Sequence, residues 1–367
     1  MKLSVGRAAL LKVLGQVSTV VEARNTTPIL SNVVLSAGKD VLTVTGSDLD
    51  IQIVETVQAD IAVQGATTVS SKTLFDVVRK LPADCQVMLE LGGDGRISVI
   101  GGRARFALPT LPIEDFPLLA EVDLPVHFAM EVPLLKKAID CTRFAMSTEE
   151  TRYYLNGVYF HVDGEQMKFA ATDGHRLARM AIILPDDAED MPGIIVPRKA
   201  IGVVRKMLDD GGELVEIAVS ATKIRFHLGT AVLTAKLIDG TFPDYVRVIP
   251  TGNEKLLRID PKALQQGADR VAAIASEKTR SVKVSLDRDK VTLSVSSPEN
   301  GTAAEEVPAD YSGAPIEIGC NARYLNDILA QIEGDVVEMH VGDASGPVLV
   351  RASEESPAVF VIMPMRV

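Results

Sequence analysis

Thr172-Asp173 closes a β-rich segment, and Ser47-Asp48 and Ser297-Pro298 stand 125 residues before and after it in the same setting. Other landmarks keep that register. A short strand leads into an amphipathic helix at residues 7–20, 133–146 and 261–275. In the first of these, Leu10, Leu11, Leu14 and Val17 recur at helical spacing. A second helix is expected at residues 71–80, 197–208 and 321–332, with Ser71 and Asn321 as N-caps and Pro197 in a first turn. An alternating strand follows each, at residues 86–91, 215–219 and 336–341. Glu114-Asp115-Phe116-Pro117 and Asp239-Gly240-Thr241-Phe242-Pro243 close the first two thirds, and the last ends in Met363-Pro364-Met365-Arg366-Val367. Four landmarks in one register indicate an internal triplication. The fold class is therefore α+β: three tandem units over residues 1–125, 126–254 and 255–367, each with two helices and about eight short antiparallel strands.

The 367 residues are too many for one ordinary core and suit two or three domains. The composition, 47% hydrophobic and 24% charged, is that of a globular protein, and no run approaches the roughly 20 apolar residues of a membrane helix. Met1-Lys2-Leu3-Ser4-Val5 has no secretory core. Three scattered cysteines, Cys85, Cys141 and Cys320, argue against a disulfide framework and fit a reducing cytoplasm.

A net charge of −11 alone argues against contact with nucleic acid, but the charge is segregated. Residues 7–20, 71–80, 133–146, 197–207, 261–275 and 321–332 together carry +11, so the remainder carries −22. Basic helices in an acidic protein suggest a surface that faces a polyanion, with the acidic remainder repelling it elsewhere. A 120-residue domain is roughly 35 Å across, so three in a ring leave a gap of about 5 Å and six a gap of about 35 Å. A B-form duplex about 20 Å across passes only the second. Two chains of three units, closing head to tail, are the arrangement that fits.

The segments Thr151-Arg152-Tyr153-Tyr154-Leu155-Asn156-Gly157, Ala171-Thr172-Asp173-Gly174-His175-Arg176-Leu177, Ile195-Val196-Pro197-Arg198-Lys199, Phe242-Pro243-Asp244-Tyr245 and Met363-Pro364-Met365-Arg366 together resemble the β subunit of bacterial DNA polymerase III. Thr27-Pro28-Ile29-Leu30 matches too, and the likeness runs the length of the chain. The resemblance implies a ring-shaped homodimer around duplex DNA, bound without sequence specificity and with helices lining the hole. It implies no cofactor and no catalysis. It also implies partners that dock through short linear peptides: the polymerase catalytic subunit, the clamp loader, and other replication and repair proteins.

The same resemblance places a peptide pocket between the second and third repeats. Leu155, Leu177, Pro243, Val248 and Val361 would form apolar walls. Thr172, Gly174, His175 and Arg176 would form one side, where His175 and Arg176 orient the peptide by hydrogen bonds. Arg247, Met363, Pro364 and Met365 complete it, with the methionines adapting to several partners. By the same carry-over, DNA meets Arg24, Lys72, Tyr153, Tyr154, Arg198 and Lys199. The dimer contact pairs Phe106 and Leu108, flanked by Arg103 and Arg105, with Ala273 and Ile274 of the other chain. Glu149 stands where relatives can carry a neutral Gln.

An enzyme and a non-encircling nucleic-acid scaffold are the competing readings. Asp173-Gly174-His175-Arg176 resembles a catalytic cluster only in isolation, because Asp48-Leu49-Asp50 and Pro298-Glu299-Asn300 occupy the matching places. The sequence has no nucleophile elbow, phosphate loop or His-Glu-x-x-His, and its five histidines lack metal-ligand spacing. It also has no helix-turn-helix, zinc-finger or RNA-binding aromatic motif.

Overall fold

The computed structural model describes residues 1–22, 27–276 and 280–366. Two helices occur in each third: α1 (Arg7–Val17) and α2 (Ser71–Lys80), α3 (Val132–Arg143) and α4 (Arg198–Met207), α5 (Pro261–Ala272) and α6 (Ala322–Leu329). Several end sooner than their periodicity suggests. At the end of α1, Thr19 Oγ1 donates to the Gln16 carbonyl at 2.6 Å and Ser18 Oγ bonds Ser71 Oγ at 2.8 Å, so the hydroxyls compete with a further helical turn. That bond also corrects the expected cap of α2. Ser71 is buried, and Ser70 accepts from the Thr73 amide instead. Pro197 likewise precedes α4 rather than sitting inside it. Asn321 caps α6 as expected, accepting from the amides of Arg323 and Tyr324. No helix among the described residues is long and apolar enough to cross a membrane.

Among the described residues the three thirds hold nine, eight and nine strands, against about eight expected. The register that opens the sequence reading is a repeated turn. Asp48 Oδ1 accepts from Asp50 N (2.9 Å) and Ile51 N (2.7 Å); Asp173 Oδ1 accepts from His175 N (2.9 Å) and Arg176 N (3.0 Å). Leu49 and Gly174 occupy matching left-handed positions, at φ 79° and 88°. A leucine there is strained, and the two carboxylate-capped amides hold it.

The strand leaving each turn pairs with the last strand of the following repeat. Ile51–Gln58 pairs antiparallel with Ala231–Lys236, and Arg176–Ile183 with Ala358–Ile362. The compact units therefore cut through the middle repeat. One contains Met1–Lys136 with Pro185–Ile238, the other Lys137–Leu184 with Asp239–Val367. The first is built on one thirteen-stranded sheet. In the second, the strands Gly157–Asp163, Gln166–Thr172, Arg176–Ile183 and Ala358–Ile362 follow one another in hydrogen-bonded order. Leu10, Val13, Leu14 and Val17 of α1 are buried, and α1 packs on Ile51–Gln58.

Under α1 lies Glu55, 3% exposed, with Oε2 lacking a hydrogen-bond partner among the described residues. Burial pushes its carboxyl up to about 7, against the pull of Lys12. The folded chain thus holds a proton that the unfolded chain releases above the ordinary carboxyl range, and stability falls as pH rises from 4.5 to about 7. Replacing Glu55 with Gln is expected to raise stability at pH 8 by roughly 2–3 kcal/mol and to change little at pH 5. Urea unfolding at the two pH values measures the difference.

Candidate functional site

A cavity of about 270 Å³ opens on the second unit. That is below the roughly 300–1,000 Å³ of a small-molecule site and suits one or two inserted side chains. Leu177 and Val361 face each other in register across the strand pair and form its floor, 2% and 1% exposed. Leu155, at the end of the turn Glu150–Leu155, adds a third apolar wall. Pro243 and Val248 close the opposite side, and Met363 enters after the last strand. The Met363 amide donates to the His175 carbonyl at 2.8 Å, tying the tail to the Thr172–Arg176 turn. Thr172 Oγ1 in turn accepts from Gly174 N (3.1 Å) and donates to the Arg176 carbonyl (2.7 Å).

Arg176 behaves differently from the sequence reading. Its side chain is 7% exposed and three of its five N–H donors are engaged: Nε to Asp173 (3.1 Å), one terminal nitrogen to Asp327 (2.5 Å), the other to the Phe144 carbonyl (2.6 Å). The guanidinium lies 4.4 Å from the Tyr324 ring centroid and 5.1 Å from that of Phe144. It therefore fastens the turn to α6 and to the end of α3, and it is part of the cavity lining as well. The exposed His175 ring stacks 6.1 Å from Tyr324, outside the cavity lining. Arg247 is 85% exposed at the rim and pairs with Asp244 (2.7 Å). Pro364 and Met365 leave the cavity for a separate hollow beside Lys283 and Gly319, where the Met365 amide donates to the Gly319 carbonyl (2.8 Å).

Three lining residues were absent from the sequence-based set: Arg152, Asp244 and Tyr245. Tyr154, assigned there to DNA, lines the cavity as well. Arg152 breaks the helical turn at φ −115°, ψ 49° and is gripped by both Glu149 oxygens at 2.8 Å, which holds the Glu149 carboxyl below its usual range. Its terminal nitrogen lies 2.6 Å from where a Cβ on residue 174 would stand. The positive φ favours glycine at 174, and a Cβ there would push the end of the Arg152 side chain aside. That glycine was the one signal in the sequence that a side chain crosses here.

The matching place in the first unit is filled. Gln52 faces Thr234 as Leu177 faces Val361, and its Oε1 accepts from the Leu119 amide at 3.0 Å. Lys236 there pairs with Asp50 at 3.0 Å. The repeat geometry is shared, but among the described residues the facing pair is polar in the first unit and apolar in the second.

The remaining candidates are distributed over both units. Lys72 and Arg198 are exposed and Lys199 half-buried in the first; Tyr153 is exposed in the second; Arg24 lies outside the described residues. Loop carboxylates already answer much of the helices' charge. Lys12 meets Asp210 (3.4 Å), Lys136 and Arg205 share Asp209 (2.7 Å each), and Lys199 sits between Asp48 and Glu22. Those two cations hold the Asp209 carboxyl down to about 2. Lys72, Lys80 and Lys206 have no ion pair among the described residues. Arg103 and Arg105 are exposed and Phe106 half-buried, but Leu108 is buried in its own unit. Ala273 is exposed and Ile274 half-buried in the other.

Family models cover the chain in three consecutive pieces: the DNA polymerase III beta subunit N-terminal domain over residues 1–120, the central domain over 129–244 and the C-terminal domain over 246–366. The beta sliding clamps of Caulobacter vibrioides and Escherichia coli K12 are 47% and 37% identical, each over 100% of both chains. Among solved structures, the polymerase sliding clamp of Caulobacter crescentus matches at TM-score 0.94 and 47% identity, and covers both chains fully. A clamp from Bartonella birtlesii bound to griselimycin matches at 0.97 and 41%, again over both whole chains.

Arg176→Ala is expected to leave Asp173 without its partner and Asp327 with Arg323 alone, at 4.0 Å, and to destabilise the second unit by roughly 1–3 kcal/mol. Chemical denaturation without any ligand tests this; unchanged stability would return Arg176 to a purely ligand-facing role.

Proposed function

The chain belongs to the DNA polymerase III beta subunit family, the bacterial sliding clamps that tether a polymerase to DNA without a catalytic step of their own, and on that premise we propose how its parts divide the work. Residues 1–125, 126–254 and 255–367 are the three clamp repeats. Two chains close head to tail around duplex DNA in the cytoplasm. Six repeats leave a hole of roughly 35 Å, wide enough for the duplex and its water. Two unpaired strand edges support the closure. Residues 104–109 pair on one side only, with Arg96–Gly101, and Gly301–Pro308 pairs only with Lys290–Ser297. An exposed edge invites a partner strand. Phe106, with Arg103 and Arg105, flanks the first edge, and Ala273 and Ile274 lie near the second, where Asn300 donates to the Ile274 carbonyl (3.3 Å).

Lys72, Arg198, Lys199, Tyr153, Tyr154 and Arg24 face the DNA in this reading. Contact with it is weak and salt-sensitive, because most of the basic side chains are already paired, and retention is topological. The apolar cavity over Leu177 and Val361 is the single observation that carries the partner reading. It receives the Leu or Phe of short peptides from the polymerase catalytic subunit, the clamp loader, and replication and repair proteins. We place griselimycin, the ligand of the Bartonella birtlesii clamp, in the same cavity of this chain.

Loading on a nicked circular plasmid with a clamp loader and ATP tests encirclement. The protein should stay on intact circles and leave once the plasmid is cut; equal retention on both forms rejects the ring. Leu177→Asp, which puts a charge on the cavity floor, should weaken binding of labelled griselimycin at least a hundredfold. Unaltered griselimycin affinity would remove the cavity from the partner reading.

A further inference from the structure

The segment from Phe242 to Val248 supplies Pro243, Tyr245 and Val248 to the cavity, yet it is a loop and a short turn with no strand pairing of its own. Aromatic contact holds it down. Tyr159 and His161 alternate with the buried Val158 and Phe160 on the strand Gly157–Asp163, so they share the opposite sheet face. The Tyr159 ring stacks on Phe242 (4.8 Å, 6°) and on His161 (4.7 Å, 20°). Phe242 and Tyr245 meet edge to face at 6.2 Å. The one polar link is between His161 Nε2 and Tyr245 Oη, at 2.8 Å. Tyr245 is 4% exposed, so its hydroxyl depends on that partner.

We propose that His161 is a positioning residue for the peptide cavity: by accepting the Tyr245 hydroxyl proton it locks the Phe242–Val248 segment to the sheet and sets where Pro243 and Val248 stand. The proposal rests on the cavity being the partner site. His161 touches no ligand and acts through Tyr245. To accept at Nε2 the imidazole must be neutral with its proton on Nδ1, and the Val162 backbone carbonyl accepts a hydrogen bond from the ring. Burial, the largest influence, moves its pKa below the ordinary histidine value, and Lys168 on the adjacent strand acts the same way, against Asp163. Arg179, two strands away, Asp163, at the end of the same strand as His161, and Asp244, on the segment itself, are charges that Tyr245 feels.

The test uses full-length protein and labelled griselimycin. His161→Phe keeps the ring stacked but strands the Tyr245 hydroxyl, and should weaken binding about tenfold. In a Tyr245→Phe background, which has no hydroxyl to strand, adding His161→Phe should change affinity by less than about threefold. Hydrogen exchange of the 242–248 amides without ligand should speed up in His161→Phe, and the same substitution should not speed it up in the Tyr245→Phe background. Unchanged exchange and affinity in His161→Phe, or an equal loss from His161→Phe in the Tyr245→Phe background, overturns the lock. If exchange responds as described while Leu177→Asp leaves griselimycin binding intact, the lock stands and the cavity assignment fails.

Discussion

Everything in this chain depends on an antiparallel strand pair formed between neighbouring repeats. Ile51–Gln58 joins Ala231–Lys236, and Arg176–Ile183 joins Ala358–Ile362. Each pairing satisfies a row of backbone donors and acceptors that would otherwise lie bare at a sheet edge. It also decides which side chains meet. Leu177 stands opposite Val361 because the register puts it there, and the cavity floor is a product of that register. A slip of one residue would turn both to the other face.

The two junctions show how one backbone plan gives opposite outcomes. With Gln52 and Thr234 on the floor and an amide captured by the glutamine, the first is closed by polar contacts. With leucine and valine there, the second has apolar walls and nothing of its own to fill them. Around that opening, charge is used for construction. Arg176 ties a turn to two helices, and Glu149 steadies Arg152 across Gly174. Surface ion pairs of the second kind add little stability but do fix a side chain's direction.

The triplication was legible because hydrophobic period and turn chemistry repeat at a fixed interval, and the paired turns at Asp48 and Asp173 bear it out bond by bond. The apolar cavity walls were legible from the resemblance. The function of Arg176 was not, since an arginine committed to two carboxylates and a carbonyl reads the same in one dimension as one awaiting a ligand. Its partners Asp327 and Phe144 lie far off in sequence. Asp244 and Tyr245 were quoted as part of a motif without their place being evident, because only the fold shows the segment bending over the sheet. The N-cap of α2 was misplaced by one residue because two serines are adjacent and tertiary contact with Ser18 decides between them.

The middle repeat has its strands shared out between both compact units, so it has no sheet that is complete without a neighbour. A gene encoding one such repeat would make a polypeptide with an adhesive edge at each end. It would have to find other copies of itself before its core was covered. Fusing three repeats converts most of that search from an encounter in solution into a folding step along one chain, with a far higher local concentration of the partner edge.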